Sequence, residues 1–459
     1  MNKRVNFIEA VAILGLMMLI LGLSVIAFGL SPQVPVLSVT GLLFLFAAIK
    51  KIPAKELMAG IEDGVKTAIV PLFLFLLIGT LIAVWIQAGI IPSLMVLGFK
   101  LVNAHFFVPS VFIVCALVGV AIGSGFTTIS TIGLALFGMG ETLQMNSALV
   151  AGAIISGAIF GDKMSPLSDS TNLASAVAGS DLFAHIKNML WTTIPAFIVS
   201  LVAFLALGMS GQDLNFKNIN VTVDVLRQNF TISWWAALPV CLMFICAWKK
   251  IPAIPTLFLN IAIAGGMIWL KNPHFSLKKM TTLIQSGFVA QTGNRTVDAL
   301  LSRGGIDSMM STVALIIMTL ALGGILMRLG VIEEAMSPVV KKLTRPGQLI
   351  IVAILAGIGV NLFVGEQYLS VILPGNAFKP AFKKLGLDPL AQSRVLEDGG
   401  SVINYLVPWG VAASFAASTL GVSVLAFLPF TVFAWSSPLF SILSGILGIG
   451  LKRQTSAPK

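Results

Sequence analysis

The sequence predicts an all-α polytopic membrane protein of roughly ten to twelve transmembrane helices, built from two inverted repeats with broken or re-entrant helices. Of its 459 residues, 57% are hydrophobic and only 10% are charged. Soluble domains have about a quarter of their residues charged. Apolar runs of about 20 residues, long enough to cross a bilayer, recur along the chain. Two such runs are interrupted by polar segments that contain a proline, which predicts broken helices.

The basic balance of the chain points to membrane topology rather than to nucleic-acid binding. Lys and Arg number 29 against 18 Asp and Glu, giving a formal charge of +11. The basic residues lie mostly in short clusters between apolar runs, as in the cytoplasmic loops of membrane proteins. No basic patch interleaved with aromatic residues predicts a nucleic-acid partner. The cysteines Cys115, Cys241 and Cys246 all lie in apolar runs, so we expect packing residues and neither a disulfide nor a cofactor site.

The N-terminal elements give the predicted orientation. Residues 11–30 form an apolar run that is too long for the core of a signal peptide, so we interpret it as the first spanning helix. Residues 34–49 return across the bilayer and stop at Lys50 and Lys51. Basic residues precede the first helix and follow the second, which predicts that both ends of this hairpin are cytoplasmic. The basic pair Lys452 and Arg453 follows the last apolar run, so we expect both chain termini in the cytoplasm. Residues 54–66 carry apolar side chains at helical spacing, which predicts an amphipathic helix on the membrane surface.

The remaining apolar runs predict further spans in both halves of the chain. They are residues 71–87, 108–122, 148–160 and 190–207 in the first half, and 234–248, 254–270, 313–327, 349–363 and 422–447 in the second. Residues 88–105 are broken by glycine and proline and predict an interfacial or re-entrant piece. Residues 123–131 are rich in glycine and hydroxyl groups. They predict either a second unwound segment or close helix packing through small residues.

These patterns divide the chain into six predicted segments. In order, they are an N-terminal helical hairpin with an interfacial helix (1–67), a first transport repeat (68–210), an external linker (211–232), a helical hairpin (233–275), a second transport repeat (276–453) and a cytoplasmic tail (454–459).

The first polar interruption carries the strongest functional signal. It directly follows the apolar run 148–160, and its Pro166 cannot continue a regular helix. Freed backbone groups and charges at membrane depth are tolerated where they line a wet cavity or are buried in protein, and they favour a functional site. Small hard cations prefer oxygen ligands, so the segment predicts a Na⁺ site, with a polar loop between two spans as the alternative. Its candidate ligands are Asp162, Ser165, Ser168, Asp169, Thr171 and Asn172.

A second polar interruption, at residues 396–409, corresponds to the first. A shift of 242 positions places Pro408 on Pro166 and Asn404 on Asp162. The charges that precede the two segments predict opposite orientations for their flanking helices. This is the pattern of an inverted repeat, and transporters often form binding sites where such broken helices meet.

Three stretches resemble the signature of the NhaC family of Na⁺/H⁺ antiporters, within a superfamily of inverted-repeat ion transporters. They are GDKMSPLSDSTNLASAVAG at 161–179, LLSRGGIDSMM at 300–310 and LEDGG at 396–400. The resemblance covers nearly the whole chain. It implies a multi-pass protein of the cytoplasmic membrane that exchanges Na⁺ for H⁺. It implies no enzymatic activity and no cofactor other than the transported Na⁺. Besides Na⁺, H⁺ and the lipid bilayer, the partner that we consider is a second copy of the chain in a homodimer.

Exchange of Na⁺ for H⁺ needs a carboxylate that holds one ion or the other. The candidates are Asp162, Asp169, Glu366, Glu397 and Asp398. We predict Asp169, beside Thr171 and Asn172, as the principal ligand and Asp162 as its nearest competitor.

Several alternatives stay open for the other charged groups. Lys163 either compensates the charge of Asp162 or extends to the cytoplasmic interface. Glu397 and Asp398 either bind the ion or cap a helix, and a ligand role is favoured for Glu366. The histidines His105, His185 and His274 lie at predicted helix ends and are expected to be surface residues.

At 401–410 the chain departs from the serine–proline pair and asparagine of NhaC-like sequences. The alternative function is therefore a Na⁺- or H⁺-coupled organic anion exchanger of the malate/lactate type, or an amino-acid carrier. In that case Arg303 and Asn404 could face a carboxylated substrate. A channel, a primary pump and an intramembrane protease are disfavoured, because the sequence has no filter loop, no GxxxxGK[ST] and no HExxH.

Overall fold

The computed structural model describes residues 5–101, 106–209 and 216–451. Within these ranges the chain forms helices and turns without a β-strand. The predicted basic pair Lys452 and Arg453, the tail 454–459 and His105 lie outside the described residues.

The helices of the first half begin with a hairpin and continue into the first repeat. They are α1 Phe7–Leu21 with a π-helical continuation Gly22–Ala27, α2 Gln33–Ile49, α3 Ala54–Lys66, α4 Ile69–Gln87, α5 Ile90–Leu101, α6 Phe107–Ile122, α7 Gly125–Thr128 with a π turn Ile129–Gly133, α8 Leu134–Thr142, α9 Ser147–Met164, α10 Asp169–Ala178 and α11 Leu182–Met209.

The second half starts with a helix inside the predicted linker. Its helices are α12 Phe216–Asn229, α13 Ala237–Trp248, α14 Ala253–Lys271, α15 Leu277–Ser286, α16 Arg295–Leu301, α17 Ile306–Arg328, α18 Val331–Lys341, α19 Pro346–Val364, α20 Gln367–Lys384, α21 Pro389–Leu396 with a π turn Glu397–Ser401 and a 3₁₀ turn Val402–Leu406, α22 Val411–Leu420, α23 Val424–Phe427 and α24 Val432–Leu447.

The number of apolar helices agrees with the predicted class. In the described residues, seven helices are long and apolar enough to cross a bilayer, or up to nine if each of two bent pairs counts as one span. The apolar helices α2, α6 and α24 are 16 or 17 residues long and bring the count to between ten and twelve. The prediction of an all-α polytopic membrane protein is confirmed.

The amphipathic helix α3 packs closely on a spanning helix. Gly60 and Gly64 lie against the backbone of α17, where a Cβ on Gly64 would stand 2.1 Å from the Leu320 carbonyl oxygen. Arg328 of α17 donates to the Glu56 carboxylate at 2.9 Å. Small residues allow two helix backbones to approach in this way. The predicted interfacial helix is therefore attached along one face to α17.

The internal repeat keeps one spacing over more than 30 residues. Helices α9 and α21 begin 242 positions apart, at Ser147 and Pro389, and Asn146 and Asp388 cap them through their side chains. Helices α10 and α22 each have ten residues and are separated by the same 242 positions. The glycines that end them, Gly179 and Gly421, both have positive φ, at 80° and 70°. The predicted register is confirmed.

The two copies run in opposite directions. The end of α10 lies beside the end of α20, because the Lys379 ammonium donates to the Val177 carbonyl at 2.9 Å. The end of α22 lies beside α8, because Arg303 donates to the Thr419 carbonyl at 3.1 Å and lies over the Phe137 ring. Since α8 leads into α9 and α20 leads into α21, each broken helix ends where the other begins. The repeat is inverted.

Candidate ion-binding site

Two chain breaks cross in the first repeat. Helix α6 ends at Gly123, whose φ is 74°, and Ser124 caps the next helix by accepting from the Thr127 N–H. A Cβ at Gly123 would stand 2.6 Å from the Leu167 Cβ and 2.9 Å from the Ser165 hydroxyl. Only glycine combines this φ with so close an approach. The break after α6 therefore lies directly on the break after α9.

The second repeat has the corresponding crossing. Gly365 ends α19 with a φ of 70°, and its carbonyl accepts from the Val411 N–H at 2.8 Å. A Cβ at Gly365 would stand 3.2 Å from the Trp409 carbonyl oxygen. Gly123 and Gly365 are 242 positions apart, as are Leu167 and Trp409. Each repeat therefore contributes one crossing of two interrupted helices.

The first break is held open by its own polar side chains. Ser165 accepts from the Leu167 N–H at 3.2 Å, and the Thr171 hydroxyl donates to the Lys163 carbonyl at 3.1 Å. The Asn172 amide donates to the carbonyls of Pro166 and Ser168, at 3.0 and 2.7 Å. Thr171 is buried and Asn172 is exposed. These two predicted ligands therefore use their donors to brace the backbone of the break.

Both aspartates of the first break line one cavity. Its volume is about 660 Å³, and Asp162, Asp169, Tyr368 and Lys250 are among the residues around it. Asp162 is half-buried and Asp169 is exposed. The Ser168 hydroxyl and the Gly125 N–H interact with the Asp162 carboxylate. Asp169 occupies the first turn of α10 rather than the unwound segment itself.

A cluster of aromatic rings bounds this cavity. Phe75 and Phe126 line it, and both rings pack on Phe415 of α22, with centroids 4.8 and 5.0 Å from it. The Phe126 ring also lies 6.1 Å from the Tyr405 ring. Helices α4, α7 and α22 thus place contiguous apolar surface against one wall of the cavity.

Lys163 has neither of the roles predicted for it. Its ammonium donates to the Asp398 carboxylate at 2.5 Å, and the two side chains are 1% and 0% exposed. Asp398 also accepts from Ser437 at 2.5 Å and from Thr192 at 3.1 Å. Neighbouring positions on a helix point in different directions, so Lys163 faces the second repeat while Asp162 faces the cavity. Lys163 therefore compensates Asp398 and does not extend to the interface.

The Glu397 side chain does not cap the N-terminus of a helix, contrary to one of its predicted alternatives. It opens the π turn that follows α21 and is 1% exposed. Its Oε1 accepts from Ser170 at 3.0 Å and from Ser401 at 2.6 Å. Its Oε2 has no hydrogen-bond partner among the described residues. Ser170 thereby joins the first break to the second.

The capping carboxylate is Glu366, at the start of α20. It is buried and accepts from the Leu369 N–H at 2.9 Å. Asn404 is also buried; its amide donates to Asn361 at 2.8 Å, and its oxygen accepts from the Ala412 N–H at 2.8 Å. Asn404 therefore braces the second break. Arg303 comes from the turn before α17 and contacts the end of α22. The structure does not bring it together with Asn404.

Sequence reasoning missed several residues of this region. His185 is fully buried, and both of its ring nitrogens lack a partner among the described residues, so its predicted surface position is wrong. Thr192 and Ser437 contact Asp398 from α11 and α24, and no local pattern marks them. Ser170 had a signal, since it lies in the hydroxyl-rich stretch beside Asp169.

Comparisons with known proteins agree with this architecture. The chain matches the Na⁺/H⁺ antiporter family over residues 4–171 and 157–449. It is 38% identical over 456 residues to the Na⁺/H⁺ antiporter NhaC of Alkalihalophilus pseudofirmus, covering 99% of both chains. It is 35% identical over 448 residues to NhaC of Bacillus subtilis, covering 97% of this chain and 99% of the relative.

A relative with another named substrate is also similar. The malate-2H⁺/Na⁺-lactate antiporter of Bacillus subtilis is 32% identical over 397 residues, covering 86% of this chain and 84% of the relative. The NhaC relatives align over a greater length and at higher identity. Together with the family match over both halves, they establish that the chain belongs to the Na⁺/H⁺ antiporter family.

Proposed function

We propose that the protein exchanges Na⁺ for H⁺ across the cytoplasmic membrane, as the names of its NhaC relatives state for those proteins. The observation that carries the proposal is the pair Asp162 and Asp169, which face one cavity at the crossing of two broken helices. Carboxylates in such a place provide oxygen for Na⁺ and can hold a proton instead. Na⁺ and H⁺ are then the transported substrates, and the lipid bilayer surrounds the helices.

The charges around the cavity favour a cation as the substrate. Two acidic side chains line it, and Lys250 is the one basic side chain among its described lining residues. A carboxylated substrate would need basic groups beyond the single Lys250, because that one side chain does not offset two aspartates. Arg303 donates instead to Thr419 at the end of α22. The exchange of malate, lactate or an amino acid is therefore the less supported alternative.

The position of the cavity favours access from one side. Lys250 and Leu182 lie around the cavity, and Lys379 lies at the end of the molecule where α10 ends. Basic loops face the cytoplasm in most membrane proteins. We place this opening at the cytoplasmic face, with the aromatic cluster of Phe75, Phe126 and Phe415 on the way to the other face.

Asp162 and Asp169 divide the site into an inner and an outer position. Asp162 is half-buried and interacts with the Gly125 N–H, whereas Asp169 is exposed. Asp162 is thus the carboxylate around which an ion would exchange more of its water for protein oxygen. The sequence predicts Asp169 as the principal Na⁺ ligand. Separate variants of Asp162 and Asp169 distinguish which of the two carboxylates has this role.

Transport in proteoliposomes tests the proposal. With an imposed pH gradient, addition of Na⁺ should dissipate the gradient, while K⁺, lactate, malate and amino acids are added in separate trials. Dissipation by an organic acid without any dependence on Na⁺ would exclude the antiporter function and favour the alternative. The same vesicles, loaded at several protein densities, also show whether transport depends on a homodimer.

A further inference from the structure

A chain of hydroxyl groups connects the cavity with the buried interior of the second repeat. The Ser168 hydroxyl interacts with the Asp162 carboxylate and lies 3.1 Å from the Ser170 hydroxyl. Ser170 in turn donates to Glu397 at 3.0 Å. The two measured separations are ordinary hydrogen-bond distances between oxygens. Four side chains therefore follow one another from Asp162 to Glu397, and the steps from Ser168 to Ser170 and from Ser170 to Glu397 are hydrogen bonds.

The surroundings of Glu397 suit a carboxyl group that accepts and loses a proton. It is 1% exposed, and Ser401 and Ser170 satisfy only one of its two carboxylate oxygens. The other, Oε2, has no partner among the described residues. An unpartnered charged oxygen is costly in the interior, and a proton on either oxygen of the carboxyl group removes that charge. Ser170 contacts Oε1, so a proton on Oε1 has an exit through the serine path.

The charged groups around Glu397 are already engaged or face elsewhere. Lys163 is paired with Asp398 at 2.5 Å, and Arg394 donates to Ser444 at 2.7 Å. None of the described cations lies within ion-pair distance of Glu397. The titratable groups on the elements packed around this turn are Asp162 and Lys163 on α9, Asp169 on α10, His185 on α11, Glu366, Tyr368 and Lys379 on α20, Arg394 on α21, and Asp398 and Tyr405 beside Glu397.

We propose that the two ions of the exchange use different carboxylates: Na⁺ binds at Asp162 on the cavity, and Glu397 carries the proton. When the Glu397 carboxyl group carries its proton on Oε1, the oxygen that faces Ser170, it releases that proton to the Ser170 oxygen. Ser170 passes its own proton to Ser168, and Ser168 passes its own to the Asp162 carboxylate and the cavity water. One proton leaves Glu397, one reaches the cavity, and each serine keeps one. The proposal rests on the Na⁺/H⁺ exchange function given above.

The connection explains why the two ions would exclude each other. Na⁺ at Asp162 places a positive charge at one end of the hydroxyl path, which opposes a proton at the other end. By reciprocity, a proton on Glu397 weakens Na⁺ binding by the same factor. Exchange follows, because each face of the membrane then loads one cation and discharges the other. Lys163 and Asp398 stay paired and keep the neighbouring charge fixed.

The first test separates Na⁺ binding from proton coupling. In proteoliposomes, Glu397→Gln should retain exchange of radioactive for unlabelled Na⁺ within about twofold, but lose Na⁺ uptake driven by a pH gradient by about tenfold or more. The KM of the wild type for Na⁺ should rise steeply as the pH falls, and that of Glu397→Gln should stay nearly constant. Asp162→Asn should lose both kinds of exchange.

The second test addresses the path itself and uses a matched control on the same helix. Ser170→Ala should slow pH-driven exchange about tenfold with the KM for Na⁺ unchanged, because a proton then has to cross a gap in the hydrogen-bonded chain. Ser170→Thr keeps the hydroxyl and should restore the rate. Ser175→Ala is the control, since Ser175 is buried on α10 but donates to the Asn172 carbonyl outside the path.

The outcomes distinguish this inference from the function on which it rests. If the wild type shows no Na⁺-dependent proton movement, the antiporter function itself fails. If the wild type exchanges Na⁺ for H⁺ but Glu397→Gln keeps the normal pH dependence, Glu397 is not the proton carrier. Loss of Na⁺/Na⁺ exchange in a folded Glu397→Gln would make Glu397 a Na⁺ ligand and overturn the division. If Glu397→Gln does not fold, a wild-type rate in Ser170→Ala overturns the path.

Discussion

At the scale of single residues, Asp162 and Asp169 occupy different environments although seven positions separate them. Asp162 precedes the break and interacts with backbone and hydroxyl groups, whereas Asp169 starts α10 and is exposed. Asp162→Asn is isosteric and should abolish Na⁺-dependent transport while leaving the amount of inserted protein unchanged. Asp169→Asn should raise the KM for Na⁺ about tenfold with kcat little changed, because an outer carboxylate mainly attracts the ion.

The rates of Na⁺/H⁺ exchange against Na⁺ concentration in vesicles measure both variants. Asn172→Ala, on the exposed face of α10, is a comparison that alters the bracing of the break without removing a charge. If Asp169→Asn abolishes exchange and Asp162→Asn does not, the sequence-based prediction of Asp169 as the principal ligand is correct and the two roles are reversed.

The buried ion pair of Lys163 and Asp398 also allows a prediction at the scale of single residues. Removing one partner of a buried ion pair leaves the other uncompensated and costs about 3 to 5 kcal/mol. Lys163→Met and Asp398→Asn should therefore each lower the melting temperature of the purified protein sharply. The double variant should be more stable than the two single losses predict when they are added. Strict additivity of the losses in melting temperature would show that the pair makes no direct contribution.

At the scale of elements, the interrupted helices depend on glycines at their crossing. Gly123→Ala should destabilise the first repeat, because the added Cβ meets Leu167 and Ser165 and the φ of 74° is unfavourable for alanine. Gly330 separates the two causes, since its φ is 75° but no atom lies within 4 Å of an added Cβ. We expect Gly330→Ala to cost about 1 to 2 kcal/mol of folding free energy and Gly123→Ala distinctly more.

Thermal unfolding of both glycine variants in detergent, together with Na⁺/H⁺ exchange in vesicles, measures this difference. Gly123→Ala should also slow transport, because the break after α9 shifts together with Leu167. Equal stability of the two variants would show that the crossing tolerates a side chain and that only the backbone conformation matters.

At the scale of elements, the register of the repeat and the position of the first break could be predicted from the sequence. Pro166 and Pro408 give the register of the repeat, and the polar residues around Asp162 locate the first break, because proline and charge act locally. The partner of Lys163 could not be found in this way. Asp398 is 235 positions away, and pairing it with Lys163 requires the packing of α9 against the turn after α21. Burial of His185 likewise depends on neighbours that α11 meets only in the folded protein.

At the scale of the whole molecule, the inverted repeat makes a prediction about membrane sides. Gln144 follows α8 and Lys384 ends α20, so the two positions are near-equivalents in the two copies, and both are exposed. Because the copies run in opposite directions, these positions should lie on opposite faces. We expect Lys384 on the cytoplasmic side, together with both chain termini, because basic residues lie near it.

Cysteine labelling in whole cells tests this arrangement. In a variant whose three native cysteines are replaced by alanine, a membrane-impermeant maleimide should label Gln144→Cys from outside. Lys384→Cys should react only after the cells are opened, and a reporter fused after Lys459 should be active only in the cytoplasm. Reaction of both cysteines from the same side would contradict the inverted arrangement. If the cysteines react on opposite sides but the reporter is active outside, the repeat stands and the orientation reverses, so the cavity beside Lys250 would face the outside.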